Sequence, residues 1–150
     1  MKIAIGSDHG GYKLKKTIIE HFEEKDLNYE DLGCYSVDSV DYPDIAFTLA
    51  KRVAKGEFDR GIIICGTGIG VSIVANKVYG IRAALCNDYF SAKASREHND
   101  ANILTLGERV IGPGLAKEIV DIWLETKFQG GRHETRVNKI KTIEKDGALN

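Results

Sequence analysis

Gly61-Ile62-Ile63-Ile64-Cys65-Gly66-Thr67-Gly68-Ile69-Gly70 is the stretch that decides the fold of this chain. Three isoleucines follow one another with no polar alternation. A strand of that kind has to be covered on both faces, which is the usual place of a parallel strand between two helical layers. We read Asp59 to Cys65 as the strand, Gly66 to Gly70 as a glycine loop and residues 69–77 as a short helix. The question it raises is why a thiol stands where a buried strand meets a loop of alternate glycines.

The same alternation runs outward in both directions. Upstream, residues 2–6 form a short apolar strand, and a helix follows with Leu14, Ile18, Ile19 and Phe22 on one face. Asn28 to Leu32 is a second strand closed by Gly33, and residues 34–43 are a polar loop. Asp44 opens a helix with the stripe Ile45, Leu49 and Val53, ended by Gly56. Downstream come a strand over Ile81 to Cys86, a helix over Asp88 to Glu97 and a fifth strand over Ala101 to Leu106. Pro113 sits near the start of a helix carrying Leu115, Ile119, Val120, Ile122 and Trp123. Gly130-Gly131 breaks the chain before a last helix, about 132–145, with Val137, Ile140 and Ile143. Strict strand–helix alternation with short connections predicts an α/β fold, a parallel sheet of five strands with helices on both faces, in one domain over 1–150.

Composition narrows the function. The chain has 150 residues, 43% hydrophobic and 29% charged, with a net charge of −1. That balance gives no electrostatic case for nucleic acid or an anionic membrane. Three cysteines are an odd number in a chain large enough to need no disulfides, so a reducing, cytoplasmic setting is expected. Asp8 and His9 cut short the apolar stretch after Met1-Lys2, which is not the pattern of a signal peptide.

In a sheet of this type ligands bind beyond the carboxyl ends of the strands. The residues there are Ser7-Asp8-His9-Gly10-Gly11, Cys65 to Gly70, Asn87-Asp88 and Gly107-Glu108-Arg109. The glycine loop lets backbone amides turn toward a ligand. Val71 stands where a dinucleotide fingerprint wants glycine or alanine, and the Lys-Ser or Lys-Thr of a P-loop is absent, so dinucleotide binding is a weak alternative that rests on Asp88. Cys65, at a strand end beside a helix start, is placed as a base or nucleophile. Cys86 reads as core, Cys34 as a loop thiol and His21 as a surface residue of the first helix. Arg132 and Arg136 share a helix face, and spacing alone leaves a solvated face and an anion site both open. His98, at a helix end, is either a cap or a proton donor. No histidine spacing suits zinc, and loop solvation or capping accounts for Asp38, Asp41 and Asp44.

Taken together, Ser7-Asp8-His9, Val40-Asp41-Tyr42-Pro43, Ile64 to Gly70, Gly80-Ile81-Arg82-Ala83, Glu97 to Asn102 and Gly130-Gly131-Arg132-His133 closely resemble type B ribose-5-phosphate isomerases. That family also includes galactose-6-phosphate and allose-6-phosphate isomerases. The resemblance covers residue 2 to about 145. It implies a Rossmann-like three-layer sandwich and an enediolate isomerisation in the pentose phosphate pathway, with no cofactor and no metal. It also implies a homodimer, sometimes a dimer of dimers, with sites shared between subunits. By the resemblance Cys65 is the base, and Asp8 with the partner's His98 opens the sugar ring, while Thr67 lies beside the reacting carbons. Gly66, Gly68 and Gly70 offer amides to the enediolate. His9, Arg109, Arg132 and Arg136 hold phosphate together with His133, Asn99 meets sugar hydroxyls, and Tyr42 packs on the sugar. Some relatives place a glutamate on the glycine-loop helix as base, but Ser72, Ile73 and Val74 offer no carboxylate here. A hexose-6-phosphate isomerase and a non-catalytic sugar-phosphate or nucleotide-binding module are the alternatives.

Overall fold

The structure, a computed structural model, describes residues 1–148. Five strands, β1 (Lys2–Ser7), β2 (Asn28–Asp31), β3 (Arg60–Cys65), β4 (Ala83–Leu85) and β5 (Ile103–Gly107), pair in the order β2-β1-β3-β5-β4. Every pairing is parallel. The isoleucine run is the central strand. Ile62 stands opposite Ile5 on one side and Leu104 on the other.

Six helices cover the sheet: α1 (Tyr12–Glu24), α2 (Tyr42–Ala54), α3 (Ile69–Ala75), α4 (Tyr89–Asn99), α5 (Pro113–Glu125) and α6 (Arg132–Ala148). Successive side chains of a strand point to opposite faces. Ile62 and Ile64 therefore join Ile3, Ile5, Leu104 and Leu106 under α1 and α5, where Trp123 is fully buried. Ile63 and Cys65 turn the other way, toward Leu49 and Val53 of α2 and Val71 and Ala75 of α3. All three isoleucines are fully buried. Each such side chain contributes about 1.5–3 kcal/mol of transfer free energy, and this explains why the run dominates the fold. The result is the Rossmann-like three-layer sandwich.

The departures from expectation have local causes. Strand β4 is shorter than Ile81 to Cys86, pairing with β5 only over Ala83–Leu85, and its outer edge is taken by a side chain. The Asn76 amide accepts from the Ala83 N–H at 2.8 Å and donates to the Ala83 carbonyl at 2.9 Å. Helix α2 starts at Tyr42 rather than Asp44, with Pro43 in its first turn, where the missing N–H costs nothing. His21 is buried, not on the surface, with Nε2 at 2.8 Å from an Asp121 oxygen of α5. Cys34 is likewise buried, and its thiol donates to the Ser36 carbonyl at 3.2 Å. Helix α6 buries His133 and Val137 but leaves Ile140 45% and Ile143 71% exposed, so its apolar stripe is only partly covered. Among the described residues no helix is long and apolar enough to cross a membrane.

Candidate active site

The chain leaves β1 toward β2 on one side, and α2 returns it to β3 on the other. A crevice opens at such a reversal, beyond the carboxyl ends of the two strands. The loops that follow β1, β3 and β5 are fastened to one another there by backbone. The Asp8 N–H donates to the Ile64 carbonyl at 3.2 Å, the Glu108 N–H to the Cys65 carbonyl at 2.9 Å and the Arg109 N–H to the Gly66 carbonyl at 3.0 Å. Glycine is required at the closest crossings. A Cβ on Gly11 would stand 2.5 Å from the Ile64 carbonyl carbon, and one on Gly107 would stand 2.6 Å from that of Thr67.

Cys65 ends β3 with its side chain almost entirely buried. Its Sγ accepts the Gly68 N–H at 3.0 Å. Gly68 can turn its amide inward because it adopts a left-handed conformation, φ 77°. Thr67 is exposed, and its hydroxyl oxygen accepts the Ile69 N–H at 3.3 Å. Around this loop lie four of the other expected residues. Asp8 accepts the Gly11 N–H at 3.1 Å. The Arg109 guanidinium lies against Gly66, where an added Cβ would be 3.3 Å from its central carbon. Tyr42 stands over Gly70, whose added Cβ would be 2.8 Å from the ring. His9 Nδ1 accepts the Val40 N–H at 3.2 Å, so its proton is on Nε2.

The remaining expected residues are elsewhere. Helix α4 runs antiparallel to the strands, from the carboxyl end of β4 to the amino end of β5. Its 11 residues carry the chain about 16 Å. His98 and Asn99 at its C-terminus are therefore at the edge of the sheet opposite Cys65. Arg132, His133 and Arg136 join them there from the start of α6. The rings of His98 and His133 stack, centroids 4.3 Å apart and 11° from parallel. Burial pushes the buried His133 imidazole below its ordinary pKa, and His98, Arg132 and Arg136 push it the same way. Arg132, Arg136 and Asn99 are exposed. Thus one chain holds two separate groups, Asp8, His9, Tyr42, Cys65, Thr67 and Arg109 at one edge and the His98–Arg136 group at the other.

Three contacts have no signature in the sequence, although Val40 and Glu108 stand in stretches already singled out. The Val40 amide fixes the His9 tautomer, but a backbone group leaves no mark on a sequence. Glu108 accepts the Leu14 N–H at 2.9 Å and so caps α1 from 94 residues away. Lys15 is a buried cation whose ammonium reaches both Asp31 oxygens at 2.7 Å and the Cys34 carbonyl, fastening the loop that leads to Val40. Burial raises the Cys86 thiol above its ordinary pKa, in keeping with a core role.

Known proteins are similar to this chain along nearly their whole length. A putative sugar phosphate isomerase of Bacillus subtilis is 62% identical over 145 residues, covering 96% of this chain and 97% of the relative. Ribose-5-phosphate isomerase B of Escherichia coli is 51% identical over 143 residues, 95% and 96% of the two chains. A solved ribose-5-phosphate isomerase B of Clostridium thermocellum superposes with a TM-score of 0.96 at 59% identity, covering 97% of this chain and 99% of that one. The family model described as ribose/galactose isomerase matches residues 3–140, and with these relatives it makes the chain a member of the ribose/galactose isomerase family.

Proposed function

We propose that the protein is an aldose–ketose isomerase that interconverts ribose 5-phosphate and ribulose 5-phosphate. The observation that carries the reading is Cys65, a thiol held by the Gly68 amide at the end of β3, beside a loop of alternate glycines. Proton abstraction beside a carbonyl needs a base and a place for the negative charge that develops. The loop supplies both. In the open-chain aldose, the Cys65 thiolate takes the proton from C2, and the electron pair moves onto the C1 oxygen to give an enediolate. A proton passes from O2 to O1, and the Cys65 thiol, after exchange with solvent, delivers a proton to C1 as the C2 carbonyl forms. The Gly68 and Ile69 amides are taken by Cys65 Sγ and Thr67 Oγ1, against the expectation that Gly68 serves the enediolate, and the Gly66 and Gly70 amides face the charged oxygen. Thr67, whose oxygen is occupied by the Ile69 N–H, presents its own O–H to the sugar oxygens. No step calls for a metal or a nucleotide, so excess chelator leaves the rate unchanged.

Asp8 and His98 open the furanose ring, Asn99 meets its hydroxyls and Tyr42 packs against it. His9 donates through Nε2 to the phosphate, which Arg109, Arg132 and Arg136 hold with His133. This assignment joins residues from opposite edges of the sheet, so it requires a second copy. A two-fold dimer sets the Cys65 edge of one chain against the His98 edge of the other and completes two sites at once. Exposed apolar side chains support such a dimer, Ile69 and Ile73 one turn apart on α3 and Ile140 and Ile143 on α6. The assembly is a homodimer or a dimer of dimers, each chain one isomerase domain. Three free thiols suit a cytoplasmic protein of the pentose phosphate pathway.

The test is an NMR time course in heavy water with ribose 5-phosphate, and in parallel allose 6-phosphate and galactose 6-phosphate. Ribulose 5-phosphate with deuterium at C1 is the expected result. Turnover of a hexose phosphate alone would keep the chemistry and change the substrate. No turnover of any of the three would leave a binding protein.

A further inference from the structure

Two motifs, Gly80-Ile81-Arg82-Ala83 and Glu97 to Asn102, contribute residues to the resemblance, yet only His98 and Asn99 enter the chemistry above. In the structure the two motifs are locked together. Arg82 Nε donates to the Asn99 carbonyl at 2.9 Å and the Asp100 carbonyl at 3.2 Å. Its Nη2 donates to the Asp100 carbonyl at 2.8 Å and to one Asp100 carboxylate oxygen at 2.9 Å. The other carboxylate oxygen accepts Arg96 Nη1 at 2.8 Å, and the same nitrogen donates to the Ala101 carbonyl at 2.6 Å. Arg96 is only 2% exposed. Asn102 completes the lock. Its side-chain oxygen accepts the Arg82 N–H at 2.8 Å, and its Nδ2 donates to the Gly80 carbonyl at 2.9 Å.

Asp100 is the residue at which α4 stops. It is left-handed, φ 47° and ψ 45°, one of two non-glycine residues with positive φ among those described. L-residues adopt that conformation at a cost, and aspartate is among the few that visit it. The last carbonyls of a helix lack helical partners. Here Arg82 takes up two of them, at Asn99 and Asp100, and its backbone is tied to Asn102 just before β5. A helix cap alone would need only a residue that tolerates the left-handed region, and glycine would serve. The guanidinium fork does more, because it fixes the last turn of α4 to the sheet. His98 and Asn99 stand on that turn. Through the ring stack on His133, the start of α6 is referenced to the same point.

We propose that Arg82, with Asp100 and Asn102, is a positioning clamp that sets the aim of His98 and Asn99, the half-site one subunit delivers to the other. Its bearing on catalysis rests on the isomerase reading above. Its bearing on His98 does not. The chain has four histidines, His9, His21, His98 and His133, so the imidazole signals of the labelled protein can be assigned one by one. Three variants are compared with the wild type: Arg82→Gln, Arg82→Lys and Asp100→Gly. The glycine variant keeps the left-handed turn and loses the carboxylate. The lysine variant keeps the charge and loses the fork.

In all three, the His98 and His133 signals should move while His9 and His21 stay in place. Ribose 5-phosphate kcat/KM should fall tenfold or more in Arg82→Gln and Asp100→Gly, with cooperative unfolding retained. Should Arg82→Gln fail to fold, the glycine variant decides, since its backbone suits the turn. Histidine signals unmoved in a folded Asp100→Gly or Arg82→Gln protein would overturn the clamp. A wild type that turns over no sugar phosphate would remove the isomerase reading, and the histidine signals would still decide the clamp.

Discussion

At the carboxyl edge of the sheet the candidate machinery is held by backbone. The Gly68 amide holds the Cys65 sulfur, the Val40 amide holds His9, and three loops are stitched by main-chain hydrogen bonds at glycine crossings. At the opposite edge it is held by side chains. His98 rests on His133, the end of α4 rests on Arg82, and Arg132 and Arg136 stand exposed. The contrast matches the task proposed for each edge. A base and an enediolate site need atoms fixed within a few tenths of an ångström before substrate arrives. Phosphate and hydroxyl contacts tolerate adjustable side chains, and two arginines on one helix face repel until an anion joins them. The comparison teaches that one edge is fixed by backbone within the chain, while the other presents exposed side chains that, in the function proposed above, meet the Cys65 edge of a second copy.

The sharpest way to break the comparison is Cys65→Ala. A positioned base contributes roughly 10²–10⁴-fold, and we expect kcat to fall by about that much. Calorimetry should show sugar-phosphate binding nearly intact. Retained turnover would take the cysteine out of its role. Next in size is a mixing experiment. Cys65→Ala and Arg136→Ala homodimers should each be impaired at different edges. After subunit exchange about half the dimers are hybrids with one intact site, so activity at substrate well below KM, where the Arg136→Ala defect shows, should return to about a quarter of wild type. No recovery would mean that each chain carries its own complete site.

Arg132→Ala and Arg136→Ala should act mainly on affinity. A charge-assisted hydrogen bond is worth about 1.5–3 kcal/mol, so KM should rise roughly tenfold or more while kcat changes less. An unchanged KM would make the pair a surface feature. Stability should also separate tight from open glycines within the carboxyl edge, where Gly11 and Gly114 both lie. Gly11→Ala pushes a methyl group into the Ile64 backbone, where the added Cβ stands 2.5 Å from carbonyl carbon and oxygen. Overpacking of this sort costs about 1–3 kcal/mol. Gly114 of α5 has nothing within 4 Å of an added Cβ. Gly114→Ala should therefore stabilise by about 0.4–1 kcal/mol. Equal midpoints in urea for the two variants would refute the tight crossing.

How much of this was legible in the sequence depended on whether one element or two carried the signal. The fold was, because an unbroken isoleucine strand and helical stripes are properties of single segments. Cys65, Asp8 and the glycine loop were placed correctly at the carboxyl edge for the same reason: they follow strands directly. What stayed hidden lies between distant segments. His21 pairs with Asp121 of α5, and Lys15 with Asp31, while Glu108 caps α1. The short β4 was hidden too, since nothing in Ile81 to Cys86 announces that only Ala83–Leu85 will pair with β5. The stack of His98 on His133 belongs to two helices that meet only in the folded chain.

The smallest expected effect is a pH dependence confined to the side-chain edge. His133 titrates below the ordinary histidine value because burial disfavours its charged form, with His98, Arg132 and Arg136 adding repulsion and Glu97 opposing them. Between that lowered value and the ordinary one near 6.5, the unfolded chain binds more protons at this residue than the folded chain. The contribution of His133 to stability is therefore fully present above the ordinary value and is lost as pH falls through the window. His133→Phe keeps a ring for the stack and removes the titration. Its Tm should fall less steeply than that of the wild type between pH 7 and pH 5. Amide exchange should place the difference at the start of α6 and leave the Cys65 loop unchanged. Parallel slopes for the two proteins would mean that folded His133 takes up its proton as readily as the unfolded chain does, and the two edges would then share one response to acid.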